Sequence, residues 1–304
     1  MSADPKRLND LAAIASIGVA GSLVGAKLAI WIATGSVAIL GSLVDSGMDA
    51  LASVVTFISV RQAAQPPDRA HRYGHGKAEA IGAFVQGGFV LGSAFFLANE
   101  AVRRLLSPQP LEQSGLGVAV LLLASLLTAA LLGFQRHVVR RTGSLAIRAD
   151  SLHYRSDLLM NLAVIAVLVL TEATGSMLVD PLFGLALVLV LLFSAFAVAR
   201  RALDILMDRE LPAAQRASIR TLALQHPKAH DVHDLRTRRA GSDVFIELHL
   251  ELDGDLSLAQ AHAITHEVEA RIRAAFPSAD IIVHQEPAGL ADERLDHQIA
   301  AARR

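Results

Sequence analysis

An apolar run over residues 36–60 is long enough to cross a bilayer, yet it carries Asp45 and Asp49 within the stretch LGSLVDSGMDALAS. Four residues apart on a helix, the two carboxylates share one face. Each costs roughly 2.5–3.5 kcal/mol at the centre of a membrane helix, so each calls for a partner. A second apolar run, ADSLHYRSDLLMNLAVIAVLVL, places His153 and Asp157 four apart on one face. Bringing the two helices together converges carboxylates and an imidazole, a ligand set suited to a tetrahedral divalent cation such as zinc. A single intramembrane Asp can serve as a helix–helix hydrogen-bond partner. Two i,i+4 pairs on separate apolar helices point instead to a metal or proton site.

The 304 residues are 53% hydrophobic and 19% charged, which fits a membrane protein carrying one soluble part. The net charge of −1 supplies no basic field for nucleic acid. Cysteine is absent, which leaves His, Asp, Glu and backbone oxygen to hold any metal. Apolar segments at about 11–33, 36–60, 78–105, 116–138, 145–170 and 178–198 predict an all-α bundle of six transmembrane helices over residues 1–209. Lys27 is expected to snorkel to an interface. Gly82, Gly87, Gly88 and Gly92 give the third helix a small face for close packing. Basic residues gather before the first helix (Lys6, Arg7), in the second connection (Arg61, Arg69, Arg72, Lys77), around the fourth connection and after the sixth helix. Both termini are therefore expected on the cytoplasmic side.

The connection QPPDRAHRYGHGKAEA contains Asp68, His71 and His75 among prolines and glycines. A turn there could fold the three around one cation, the alternative being an exposed loop that happens to hold histidines. Beyond Asp208 the hydropathy drops. Helical periodicity at 213–224 and 258–276 and alternation at 234–239, 243–252 and 279–284 give the order α-β-β-α-β. That order predicts a small α+β domain of ferredoxin-like type over residues 210–290, followed by a disordered tail at 291–304. His233, His249 and His284 fall in or beside strands, His262 falls on the second helix, and Glu286 follows in HQEP. These could surround one or two metal ions, although each histidine alone is commonly a surface or capping residue. His226, His230, His266 and His297 are read in that second way. Signatures of phosphate-binding loops, nucleophile elbows and HExxH zinc enzymes are missing.

Taken together, GSLVDSGMDALAS, HRYGHGKAEA, ADSLHYRSD, DLRTRRAG and HQEP resemble the cation diffusion facilitator family over nearly the whole chain. The resemblance implies a homodimeric exporter in a bacterial inner membrane that exchanges a divalent cation, such as Zn2+ and possible relatives Cd2+ or Fe2+, for protons by alternating access. It assigns Asp45, Asp49, His153 and Asp157 to a transport site and Asp68, His71 and His75 to a loop site. It assigns His233, His249, His262, His284 and Glu286 to a binuclear cytoplasmic site that helps hold the dimer. It also implies a charge network at the subunit interface with Lys77 and Asp208, and a gate near Leu152. One departure is that the pattern has Asp where this chain has Glu286.

A transporter competes with two other readings. In a membrane-anchored cytoplasmic metal sensor the helices would serve as anchors, and an anchor has no need of costly carboxylates. A membrane metalloenzyme needs an open metal position, which a four-ligand set closes.

Overall fold

Backbone groups in apolar surroundings must bond within their own segment. The apolar runs accordingly fold as long helices: α1 (Pro5–Thr34), α2 (Val37–Ala63), α3 (Ala78–Leu106), α4 (Gly115–Thr142), α5 (Leu145–Thr174) and α6 (Val179–Leu206). The computed structural model describes residues 5–34, 37–107, 115–174, 179–289 and 294–302. Two units result, Met1–Leu203 and Asp204–Arg304, a division slightly earlier than the expected 209/210. Among the described residues, four helices hold segments long and apolar enough to cross a membrane: Pro5–Ile32, Ala78–Arg103, Leu122–Thr142 and Pro181–Leu206. Of the six expected spans, four are found among the described residues. The two helices outside this set are α2 and α5, which carry Asp45, Asp49, Asp150 and Asp157.

The helical unit turns its apolar side chains outward and its polar ones inward. Phe95 and Phe96 of α3 and Phe193 of α6 are 70%, 74% and 78% exposed. In contrast Ser16 of α1, Thr56 of α2, Gln86 of α3, Gln135 of α4 and Asp150 of α5 are all 0% exposed. They meet at the Asp150 carboxylate. Ser16 Oγ and Gln135 Nε2 each donate to Oδ2 at 2.6 Å. Thr56 Oγ1 donates to Oδ1 at 3.2 Å and Gln86 Nε2 at 3.3 Å. Next to this hub an apolar cluster of Ala12, Ala13, Val60, Val138, Ala146 and Ile147 seals α1, α2, α4 and α5 together.

Close approach needs small residues where helices press hardest. A Cβ on Gly82 would lie 2.1 Å from Ser59 Oγ, so α2 and α3 pack only with glycine there. Gly88 and Gly92 have open space instead, so among the described residues no neighbour packs against the small face there. Gly143 takes φ +69° and donates its N–H to Val139 O, ending α4 in the left-handed region. Ser144 then caps α5, accepting from Ile147 N at 3.3 Å. Glu79, 8% exposed at the start of α3, accepts from Leu145 N at 3.1 Å and Ser144 Oγ at 2.9 Å. A carboxylate at that position also complements the α5 dipole.

In the second unit, α7 (Ala213–Leu224) and α8 (Leu258–Ala275) accompany β1 (Asp231–Ala240), β2 (Asp243–Leu252) and β3 (Ala279–Pro287). The strands form one sheet in the order β1-β2-β3, with β1 antiparallel and β3 parallel to β2. A full ferredoxin-like order has a further opening strand, which the sheet of the described residues lacks. Alternation puts Val244, Ile246, Leu248 and Leu250 on one face, where they pack with Ile219, Val268, Ile272 and Ile281. The opposite face of the strands is left for polar chemistry. A capping box between Ser257 and Gln260 starts α8.

The tail corrects the expectation of disorder. Residues Leu295–Ala302 form α9. Its first turn is capped by a residue some sixty positions earlier: Asp234 accepts from Leu295 N at 2.8 Å and from Asp296 N at 2.9 Å. Asp296 returns the contact by accepting from Asp234 N at 3.0 Å. Asp234 sits where the β1–β2 register slips, with φ +47°. Burial works to raise its pKa, but the N–H groups of Asp296 and Leu295 outweigh it and hold the carboxyl below the usual range.

The hub generates a stability prediction. Asp150→Ala orphans donors from four helices, whereas Ser16→Ala removes one of them. Asp150→Ala should destabilise the detergent-solubilised chain by at least about 2 kcal/mol more than Ser16→Ala. The comparison is the loss of monodisperse protein after heating. Equal midpoints would mean that the carboxylate does not organise the helices.

Candidate metal centres

The first cluster lies between α2 and α5. Leu145 to Thr174 is one continuous helix, so His153 and Asp157 stack one turn apart. His153 Nε2 lies 3.0 Å from Asp49 Oδ1 on α2 and 3.8 Å from Asp157 Oδ2. The imidazole side chain is 4% exposed, while the Asp49 and Asp157 side chains are each 27% exposed. The ring is thus enclosed and the carboxylates are partly exposed. His153 Nδ1 has no hydrogen-bond partner among the described residues. Beside it Tyr154 is fixed by Ser53 Oγ at 2.7 Å and by donating to Ser16 O at 3.1 Å. The fourth expected residue, Asp45, lies on α2 with its side chain outside the described residues. Lys27, expected to snorkel, instead donates to the buried Ser46 Oγ at 2.7 Å, one residue from Asp45.

The second cluster occupies the connection between α2 and α3. Asp68 Oδ1 accepts from Ala70 N at 2.8 Å and His71 N at 2.6 Å, forming a tight turn. Gly74 takes φ +78°, a conformation that folds His75 back towards Asp68. His71 Nδ1 then lies 3.3 Å from Asp68 Oδ1, and His75 Nε2 lies 3.4 Å from Oδ2. The His71 N–H holds the Asp68 carboxyl below its usual pKa against the opposing effect of desolvation, assisted by Ala70 N–H and the two imidazoles. A carboxylate kept ionised beside two imidazoles offers one ligand atom each at mutual distances within 4.8 Å.

Strand register builds the third cluster. His233 pairs with His249 across β1 and β2, and His249 pairs with His284 across β2 and β3. Two residues along, Asp231, Glu251 and Glu286 form a second row on the same face. Glu286 reaches all three histidines: Oε1 lies 2.7 Å from His249 Nδ1 and 3.3 Å from His284 Nε2, and Oε2 lies 3.1 Å from His233 Nε2. The extra methylene, where the resembling pattern has Asp, does not keep the carboxylate from its neighbours. His233 is 4% exposed, and both its ring nitrogens lack a hydrogen-bond partner among the described residues. Buried imidazole nitrogens left unpaired beside carboxylates fit a divalent cation.

His262 is not brought to this row. It stands exposed on α8 with its ring 4.4 Å from that of His266. His226, read as a surface or capping residue, is 6% exposed and lies 3.3 Å from Glu267. Sequence reasoning missed Asp150, Glu79 and Glu251 as organising residues. Asp150 and Glu79 carried the same signal as Asp49, a carboxylate in an apolar helix.

Comparison with known proteins identifies the family. Residues 13–207 match the family described as the cation efflux transmembrane domain, and residues 211–288 match the cation efflux protein cytoplasmic domain. The chain is 45% identical to the cation-efflux pump FieF of Shewanella oneidensis over 277 residues, 91% of this chain and 93% of that protein. It is 44% identical to the cation-efflux pump FieF of Klebsiella pneumoniae over 284 residues, 93% of this chain and 94% of that protein. A solved structure, the metal-bound C-terminal domain of the CzcD transporter from Thermotoga maritima, is 29% identical, covers 26% of this chain and 93% of that one, and has a TM-score of 0.25. With both family domains in order and relatives of this identity spanning nearly its whole length, the chain belongs to the cation efflux, or cation diffusion facilitator, family of membrane transporters rather than to the enzymes.

Proposed function

We propose that the chain is a proton-coupled antiporter that exports a divalent cation, Zn2+ first among them, through the Asp49–His153–Asp157 cluster with Asp45 as fourth ligand. The observation that carries this reading is the enclosed His153 imidazole 3.0 Å from Asp49, between two helices of an apolar bundle. In this reading all six long helices span the inner membrane, both termini are cytoplasmic, and two copies form the working dimer. One imidazole with carboxylates suits a borderline cation better than a hard one.

Loading the cluster requires every ligand to be deprotonated, so the arriving cation releases protons and returning protons expel it. An imidazole titrates near pH ~6.5 when unperturbed, which makes His153 the natural carrier of this exchange. The shared proton belongs to the cluster rather than to one residue. The His233–His249–His284 row with Glu286 would hold resident zinc, whose charge there would draw the three strands and their carboxylate together. His262 joins that centre, in this reading, from the second copy. The Asp68–His71–His75 turn is a third, more exposed binding point. The sensor reading leaves the membrane cluster without a task.

Two outcomes check the proposal. In reconstituted vesicles, Asp49→Ala and Asp157→Ala should each reduce zinc flux at least ~100-fold, while His266→Ala stays near wild type, on the expectation that losing one of four ligands opens the site. Near-normal flux in either Asp variant would remove the cluster from the pathway. Separately, a pH step that acidifies the destination side should accelerate zinc export, and a pH-sensitive dye should record protons moving the opposite way. Zinc movement indifferent to the step, without proton counter-flow, would reduce the protein to a uniporter.

A further inference from the structure

The His233 ring has two carboxylate neighbours, one on each side. Nε2 faces Glu286 at 3.1 Å, the side already described. Nδ1 faces Glu251 Oε1 at 3.4 Å, and Asp231 completes a second group whose ligand atoms all lie within 4.8 Å of one another. Glu251 is 8% exposed and His233 4%. By chemistry this second group matches the first: imidazole and carboxylate, with His233 and Glu251 buried, Asp231 half-buried, and a ring nitrogen of His233 without a hydrogen-bond partner among the described residues beside Glu251. It differs in what already holds its acids: half-buried Asp231 accepts from Arg220 Nη2 at 2.8 Å through Oδ1, the oxygen turned away from Arg294. Arg294, the residue before α9, donates from Nη2 to Glu251 Oε1, and its Nη1 lies 3.8 Å from Asp231 Oδ2.

We infer that Arg294 is a built-in cation that fills a second divalent-metal site made by Asp231, His233 and Glu251, and so confines metal binding by His233 to the Glu286 side. The guanidinium keeps its charge at every physiological pH. It uses the same Glu251 oxygen that a metal would need, so the two exclude each other by shared ligand and by like charge. The tail does not hold Arg294 there by chance. Asp234, next to His233 in the slipped register, caps α9 through Leu295 N and Asp296 N and fixes where the chain before it must run. The tail helix is thereby a specificity element of the soluble unit. The inference rests on the reading of the Glu286 side as the metal-holding one.

Equilibrium dialysis of the purified full-length chain against zinc tests it. His249→Ala with Glu286→Ala should lower bound zinc relative to wild type, and no loss would show that the Glu286-side reading itself fails. Adding Arg294→Ala to that background should restore about one equivalent, and adding Glu251→Gln should abolish the gain. Arg294→Lys, which keeps the charge, should leave the second site closed. A tail that is merely loosened cannot create an equivalent that depends on Glu251. No gain on removing Arg294, or a gain indifferent to Glu251→Gln, overturns the inference.

Discussion

A carboxylate sealed among apolar helices has to find its hydrogen bonds from neighbouring segments, and Asp150 finds them from four. Ser16, Thr56, Gln86 and Gln135 each come from a different helix, and all are fully buried. Leaving such a group unsatisfied in a hydrocarbon setting costs several kcal/mol, so the five helices are constrained to one mutual arrangement. His153 follows Asp150 by one turn of α5, and Tyr154 is tied to Ser16 and Ser53 in the adjoining layer. The candidate metal cluster thus inherits its position from a polar layer that is not part of it. Glu79 does the same for the start of α5, through Ser144 and Leu145.

The soluble unit reaches a comparable result by different means. Its constraint is register. Strand alternation commits Ile246, Leu248 and Leu250 to the core, and the same alternation commits His249 and Glu251 to the other face. Antiparallel pairing on one side and parallel pairing on the other then align three histidines in one row and three acids in the next. A one-residue slip would turn the rows into the core, so burial of the apolar face also fixes the candidate metal row.

Much of this was legible in the sequence because it follows from periodicity. The i,i+4 spacing of His153 and Asp157 and the strand alternation of β2 are local properties, and α7 and β2 have the expected limits. The Asp68 turn was legible from its glycines and histidines together. What escaped was set by partners distant along the chain. Lys27 reads as a snorkelling residue until Ser46 is seen across the helix pair. The tail has little apolar periodicity, and its order comes from Asp234 and Glu251. His262 has the ligand chemistry, but α8 carries it away from the row of strands, which a sequence pattern cannot reveal.

The central claim is that zinc in the membrane unit is held by His153 among carboxylates. It is tested most directly by zinc X-ray absorption on full-length protein in which His75→Ala and His249→Ala disable the other two clusters. The account predicts zinc in a tetrahedral shell with one imidazole nitrogen and the rest oxygen, at about 2.0–2.2 Å. The imidazole signature should vanish in His153→Ala. A shell without imidazole, or one that His153→Ala leaves unchanged, would contradict it.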